Sequence, residues 1–120
     1  MHASQLSKLN DQEILHQTKE LLVYERKAVA KFLPRLAELE DRRLYAKEGY
    51  ASTFKYLVEG LNLSESSAAQ RLAAARAWKK YPAVLEFLES GKLHLSGLYL
   101  LSKYFTDANH ERLLGMAVRK

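Results

Sequence analysis

The chain has no cysteine, which excludes a disulfide scaffold and any thiolate metal site and suits a reducing cytosol. Its 120 residues include only two prolines and five glycines. There is no internal repeat and no low-complexity linker. No apolar run approaches the roughly 20 residues that span a bilayer. The start, MHASQLSKLNDQEIL, lacks the basic and continuous apolar segments of a secretory signal. A cytoplasmic protein away from the membrane is expected. Strand-like alternation of β-branched residues is missing as well.

Catalytic signatures are equally scarce. His2, His16, His94 and His110 show no HxH, HxxxH or HExxH spacing, so no metal site is expected. Gly91-Lys92 lacks the upstream glycine of a phosphate-binding loop. Glu38, Glu40 and Asp41 sit on a charged helical segment where nothing nearby raises a carboxyl pKa. No nucleophile–base pair, cofactor site or small-molecule substrate can be defended, and no enzymatic activity is expected.

What remains is an ordinary globular composition, 48% apolar and 28% charged, with the length of one domain. Net charge is +5, unevenly placed. Residues 1–60 hold ten basic and nine acidic side chains, and residues 61–120 hold nine and five. Between Ser66 and Tyr81 the charges are Arg71, Arg76, Lys79 and Lys80, all positive. A local excess of this kind attracts phosphate backbones or acidic partners, although a merely solvated face gives the same pattern.

Apolar periodicity makes the chain all-α, a compact multi-helix domain spanning residues 1–120. Residues 11–46 form a long N-terminal helix, capped by Asn10 or Asp11, either continuous or kinked at Pro34 into a pair. Leu15, Leu22, Val29 and Leu36 recur every seven residues along it. Thr18 and Glu25 spoil the other seam of a strict two-stranded zipper, yet a homodimer through this helix is one expectation. Residues 52–80 read as two helices around the turn Leu61-Asn62-Leu63-Ser64. Ser52 caps the first and Ser64 the second. Residues 82–120 hold further helices, one beginning at Pro82, one capped by Ser96 and one capped by Thr106.

The stretch 52–80 has the spacing of a helix-turn-helix. At about 100° per residue, Ala68, Leu72 and Ala75 form the core face of its second helix. The opposite side presents Ser66, Ser67, Gln70, Ala73, Ala74 and Ala77, a face of low relief. A DNA major groove admits such a helix, with early residues at base edges and flanking basic residues on phosphates. Ser66, Ser67, Gln70 and Arg71 are the base-edge candidates. Lys79, Lys80, Lys55 and Ser52 are the phosphate candidates. Alanines equally permit close helix packing, so they favour neither reading. Asn62 stands where such motifs often carry Gly. Arg71 stands where a core aliphatic is usual, and Leu72 takes that role. Trp78, Tyr81 and the other aromatics at helical spacing read as core rather than as a stacking platform for single strands.

Arg42-Arg43-Leu44-Tyr45, Gly49-Tyr50 with Ser52 and Phe54, Leu63-Ser64-Glu65-Ser66 and Gly91-Lys92-Leu93-His94-Leu95-Ser96 together resemble the N-terminal region of bacterial HNH endonuclease-type proteins. The likeness extends from about Asp11 to Val118, with Pro34 a departure. It implies a non-catalytic helical module associated with double-stranded DNA. In that family the nuclease chemistry belongs to a separate C-terminal metal-binding module, which no residue here matches. The layout is also similar to the helix-turn-helix core of ParB-type partition proteins. A protein-interaction or dimerisation module without direct DNA contact is the alternative reading.

Overall fold

The computed structural model describes residues 3–118; His2 lies outside them. The described residues are all-helical, without strands. The order is α1 (Ala3–Leu6), α2 (Asp11–Asp41), α3 (Leu44–Lys47), α4 (Thr53–Lys55) and a π-helical turn (Tyr56–Gly60). Then come α5 (Glu65–Lys80), α6 (Ala83–Glu89), α7 (Leu95–Ser102) and α8 (His110–Met116). No helix among them is long and apolar enough to cross a membrane.

Helix α2 runs the length of a slab measuring 48 × 40 × 19 Å. Asn10 starts it: its Oδ1 accepts from the Glu13 N–H and its Nδ2 donates to Glu13 Oε1, both at 2.8 Å. The first bond satisfies one orphan backbone donor, and the second holds the capping side chain in place. The helix passes through Pro34 as a single element, so the chain does not divide there. Proline in a helix interior costs about 3 kcal/mol or more. Ala30, Leu33, Leu36 and Ala37 around it are all buried. Each fully buried leucine contributes roughly 1.5–3 kcal/mol, enough to offset the lost bond. Arg35 also donates through Nη1 to the Lys31 carbonyl at 2.9 Å.

The helix stops at Asp41 rather than at Ala46 as its pattern predicts. Arg43 turns left-handed with φ +53°, and α3 begins afresh at Leu44. No glycine or proline announces this break.

Helix α5 is the centre of the packing. Helix α2 lies along one of its sides and α7 along another, with α6 touching both α2 and α5. Leu33, Leu57, Val84, Leu98 and Leu114 are the largest fully buried side chains of the core they share. Tyr81 closes the C-terminal end. Its ring stacks on His110 at 4.3 Å and meets Phe105 edge-on at 5.7 Å, which ties α8 to the end of α5. At the start of α7 the structure differs from the sequence pattern. His94, not Ser96, occupies the N-cap position, and no side chain caps the helix.

Candidate nucleic-acid interface

The connection between the π-helical turn and α5 is short and fully anchored. Leu61 N–H donates to the Tyr56 carbonyl and Leu63 N–H to the Leu57 carbonyl, each at 3.0 Å. Asn62 takes the left-handed conformation between them, φ +59°, as its short polar side chain permits. Ser64 then caps α5, its Oγ accepting from the Ser67 N–H at 3.0 Å. Gly60 is needed just before the turn. A Cβ there would stand 2.8 Å from the Tyr56 ring and 3.1 Å from that of Tyr50.

Helix α5 buries two sides, not one. Ala68, Leu72 and Ala75 are buried as their spacing predicts. Ala74 and Ala77, expected on the outer face, are also buried, at 0% and 7% exposure. The physical reason is α7, which packs onto that side, where methyl groups let a helix axis approach closely. The low-relief face is therefore partly used inside the fold.

An open strip survives along the remaining side. Ser66 and Lys80 are exposed there, Ala69, Gln70 and Ala73 are half-buried along the same edge, and exposed Arg76 lies at its flank, whereas Lys79 is exposed on the α2 side of the helix end. Gln70 leans back toward Ser66, Nε2 to Oγ 3.5 Å. Ser67 and Arg71 leave the strip. Arg71 is half-buried, and its Nη1 donates to the Ser67 carbonyl at 3.3 Å and to Ser67 Oγ at 2.5 Å. Its side chain lines a cavity together with Arg26 and Val29 of α2. Of the four base-edge candidates, the structure keeps Ser66 and Gln70 together and turns the other two toward α2.

The basic candidates are partly neutralised. Arg76 forks onto Glu40, Nε to Oε1 at 2.9 Å and Nη2 to Oε2 at 2.8 Å. The Arg76 guanidinium holds the Glu40 carboxyl below its usual range, and Glu40 in turn raises the guanidinium. Lys79 Nζ meets Asp41 Oδ2 at 2.5 Å. Lys55 lies 3.5 Å from Glu59, and Ser52 Oγ accepts from the Lys55 N–H at 3.1 Å. Lys80 makes no ion pair among the described residues. These pairs are largely solvent-exposed and exchangeable, each worth about 0–1 kcal/mol. Glu40 and Asp41 escape sequence reasoning because their partners lie 36 and 38 residues away.

No known family model, curated protein or solved structure matches the chain. The chemistry of the strip therefore has to be argued from the residues themselves. It offers hydroxyl and amide groups at the start of a rigid helix and exchangeable cations at its end. Among the described residues, no cluster of three His, Asp or Glu side chains is placed to hold a metal ion.

Proposed function

We propose that this chain is a DNA-binding module using α4, the π-helical turn and α5 as a helix-turn-helix. The observation that carries this reading is the open strip on a helix otherwise clamped on two sides. Ser66 and Gln70 stand at its start and Lys80 at its end. A clamped helix presents such groups without further ordering cost. Ser66 and Gln70 then reach base edges, with Ala73 allowing close approach. Lys80 contacts phosphate directly, and Lys79 and Lys55 do so by exchanging Asp41 and Glu59 for phosphate oxygens. The likeness of Leu63-Ser64-Glu65-Ser66 and its companion segments to HNH endonuclease-type proteins supports the same reading.

Three phosphate contacts give an expected slope of log affinity against log salt of about −3 on duplex DNA. Fluorescence anisotropy with a labelled duplex across a salt series measures it. Lys80→Ala is expected to reduce the slope by about 1. A flat salt response, or affinity unchanged in Gln70→Ala/Lys80→Ala, would remove this reading.

A second reading rests on a separate observation, the projecting half of α2. Ile14, Leu15, Leu21, Leu22, Val23 and Tyr24 are exposed there, Leu21 to 67% and Tyr24 to 71%. The acidic start at Asp11 and Glu13 and the exposed basic residues Lys27 and Lys31 complement each other when two copies run antiparallel. This favours a homodimer through α2, compatible with a DNA-binding dimer on paired half-sites. Light scattering over a dilution series is expected to show a dimer that Leu15→Glu/Leu22→Glu dissociates. A strict monomer at high concentration would end this reading.

A further inference from the structure

Arg26 and Arg71 play no part in the DNA reading, and the fold brings them to one cavity. Its volume is about 130 Å³, between α2, α5 and the connection from α6 to α7. Leu88 and Leu93 lie along it, with His94 and Glu25 on its walls. Both leucines are buried.

Arg26 is the unexplained member. Its Nε is buried and has no hydrogen-bond partner. The guanidinium lies flat against the backbone at Gly91, where an added Cβ would stand 3.1 Å from Cζ, Nε and Nη1. Gly91 itself is left-handed, φ +79°, so glycine both makes the turn and leaves room for the arginine. A buried charged donor without an acceptor is costly, more so than a neutral one. Folding has nevertheless retained it.

Arg71 comes from the other wall already oriented. Its Nη1 is tied to Ser67, which fixes the plane of the fork and removes the ordering cost of using its other donors. His94 is already engaged within the fold and serves as wall. His94 and Leu95 are the N-cap and first residue of α7, a helix of eight residues with no capping side chain. Uncapped N–H groups and the positive end of the helix add to the same field. Glu25 opposes it with one carboxylate against two guanidiniums. Val29, Leu88 and Leu93 make part of the wall apolar, which lowers the screening on that side.

We propose that this cavity binds a free, phosphate-sized oxyanion, held by Arg26 and Arg71 and stabilised by the start of α7. The ligand lies between the Arg26 and Arg71 side chains that line the cavity and links α2, α5 and α7 through one ion. The site lies on the α2 side of α5, away from the open strip, and does not depend on the DNA reading.

The test is a titration of the full chain with inorganic phosphate at constant ionic strength, balanced by chloride. The arginine Nε–Hε resonances and the melting temperature are followed together. Saturable shifts at Arg26 and Arg71 are expected, with a melting temperature raised by phosphate and not by chloride. Arg26→Gln is expected to raise the half-saturation concentration about tenfold or more, the loss of one charge-assisted contact. Arg26→Lys keeps the charge without the fork and is expected to weaken binding less, which keeps the test valid if Arg26→Gln folds poorly. Non-saturable shifts, or the same response in wild type and both variants, overturn the proposal. So does a response to duplex DNA with none to inorganic phosphate.

Discussion

Leu33→Ala is expected to lower the unfolding free energy by about 2–5 kcal/mol, whereas Leu21→Ala on the same helix is expected to change it by about 0.5 kcal/mol or less. The chemistry is identical and the two sites lie on one helix, so only their surroundings differ. Leu33 is fully buried where α2 meets the core, and Leu21 is 67% exposed on the projecting half. Removing the Leu33 side chain leaves a cavity in the packing that makes Pro34 tolerable inside α2. That loss is a large share of the roughly 5–15 kcal/mol that holds a typical domain together. At Leu21, alanine loses no packing and gains slightly in helix propensity. Urea unfolding measures both, and the midpoint should move for Leu33→Ala at an unchanged slope. Equal losses at the two sites would mean that the projecting half is covered in solution.

Ser66→Glu is expected to abolish most duplex binding, about a hundredfold or more, while the fold holds. Ser66 is exposed in the first turn of α5, two residues after the Ser64 cap. A carboxylate at that place favours the helix dipole by about 0.3–1 kcal/mol, so the melting temperature should stay or rise. Against DNA the same carboxylate faces like charge, which costs several kcal/mol. Opposite movements of stability and affinity separate an interface effect from misfolding. Wild-type affinity in Ser66→Glu would take the first turn of α5 out of the interface.

Much of the fold was legible from local rules. The α5 boundaries, the Ser64 cap, the left-handed Asn62 and the restart near Pro82 all follow from capping and turn chemistry, and the structure has them. These are properties of adjacent residues, which a linear pattern contains. The break at Arg43 was not legible, because a left-handed arginine leaves no compositional mark. Continuity through Pro34 was not legible either, since tertiary burial of Leu33 and Leu36 outweighs the local penalty.

The site was legible only by half. Alanine on a helix looks the same whether it faces solvent or another helix, so the burial of Ala74 and Ala77 under α7 carried no signal. Arg71 looked like a base-edge residue until α2 supplied a wall and Ser67 a tether for its guanidinium. Nothing in the local sequence directs Glu40 and Asp41 toward a distant helix. In the structure Arg42 pairs locally with Glu38, and Glu40 and Asp41 reach across to α5. The seven-residue spacing of Leu15, Leu22, Val29 and Leu36 marks one face of α2. That face passes from 53% exposed at Leu15 to 2% at Leu36. Periodicity defines a face and is silent about what covers it.

Amide chemical-shift mapping on addition of duplex DNA tests the central claim most directly. The account predicts saturable shifts clustered at residues 55, 64–70, 73, 76, 79 and 80, with α7 and the projecting half of α2 unmoved. Shifts confined to residues 11–28, or no shifts at low salt, would contradict it.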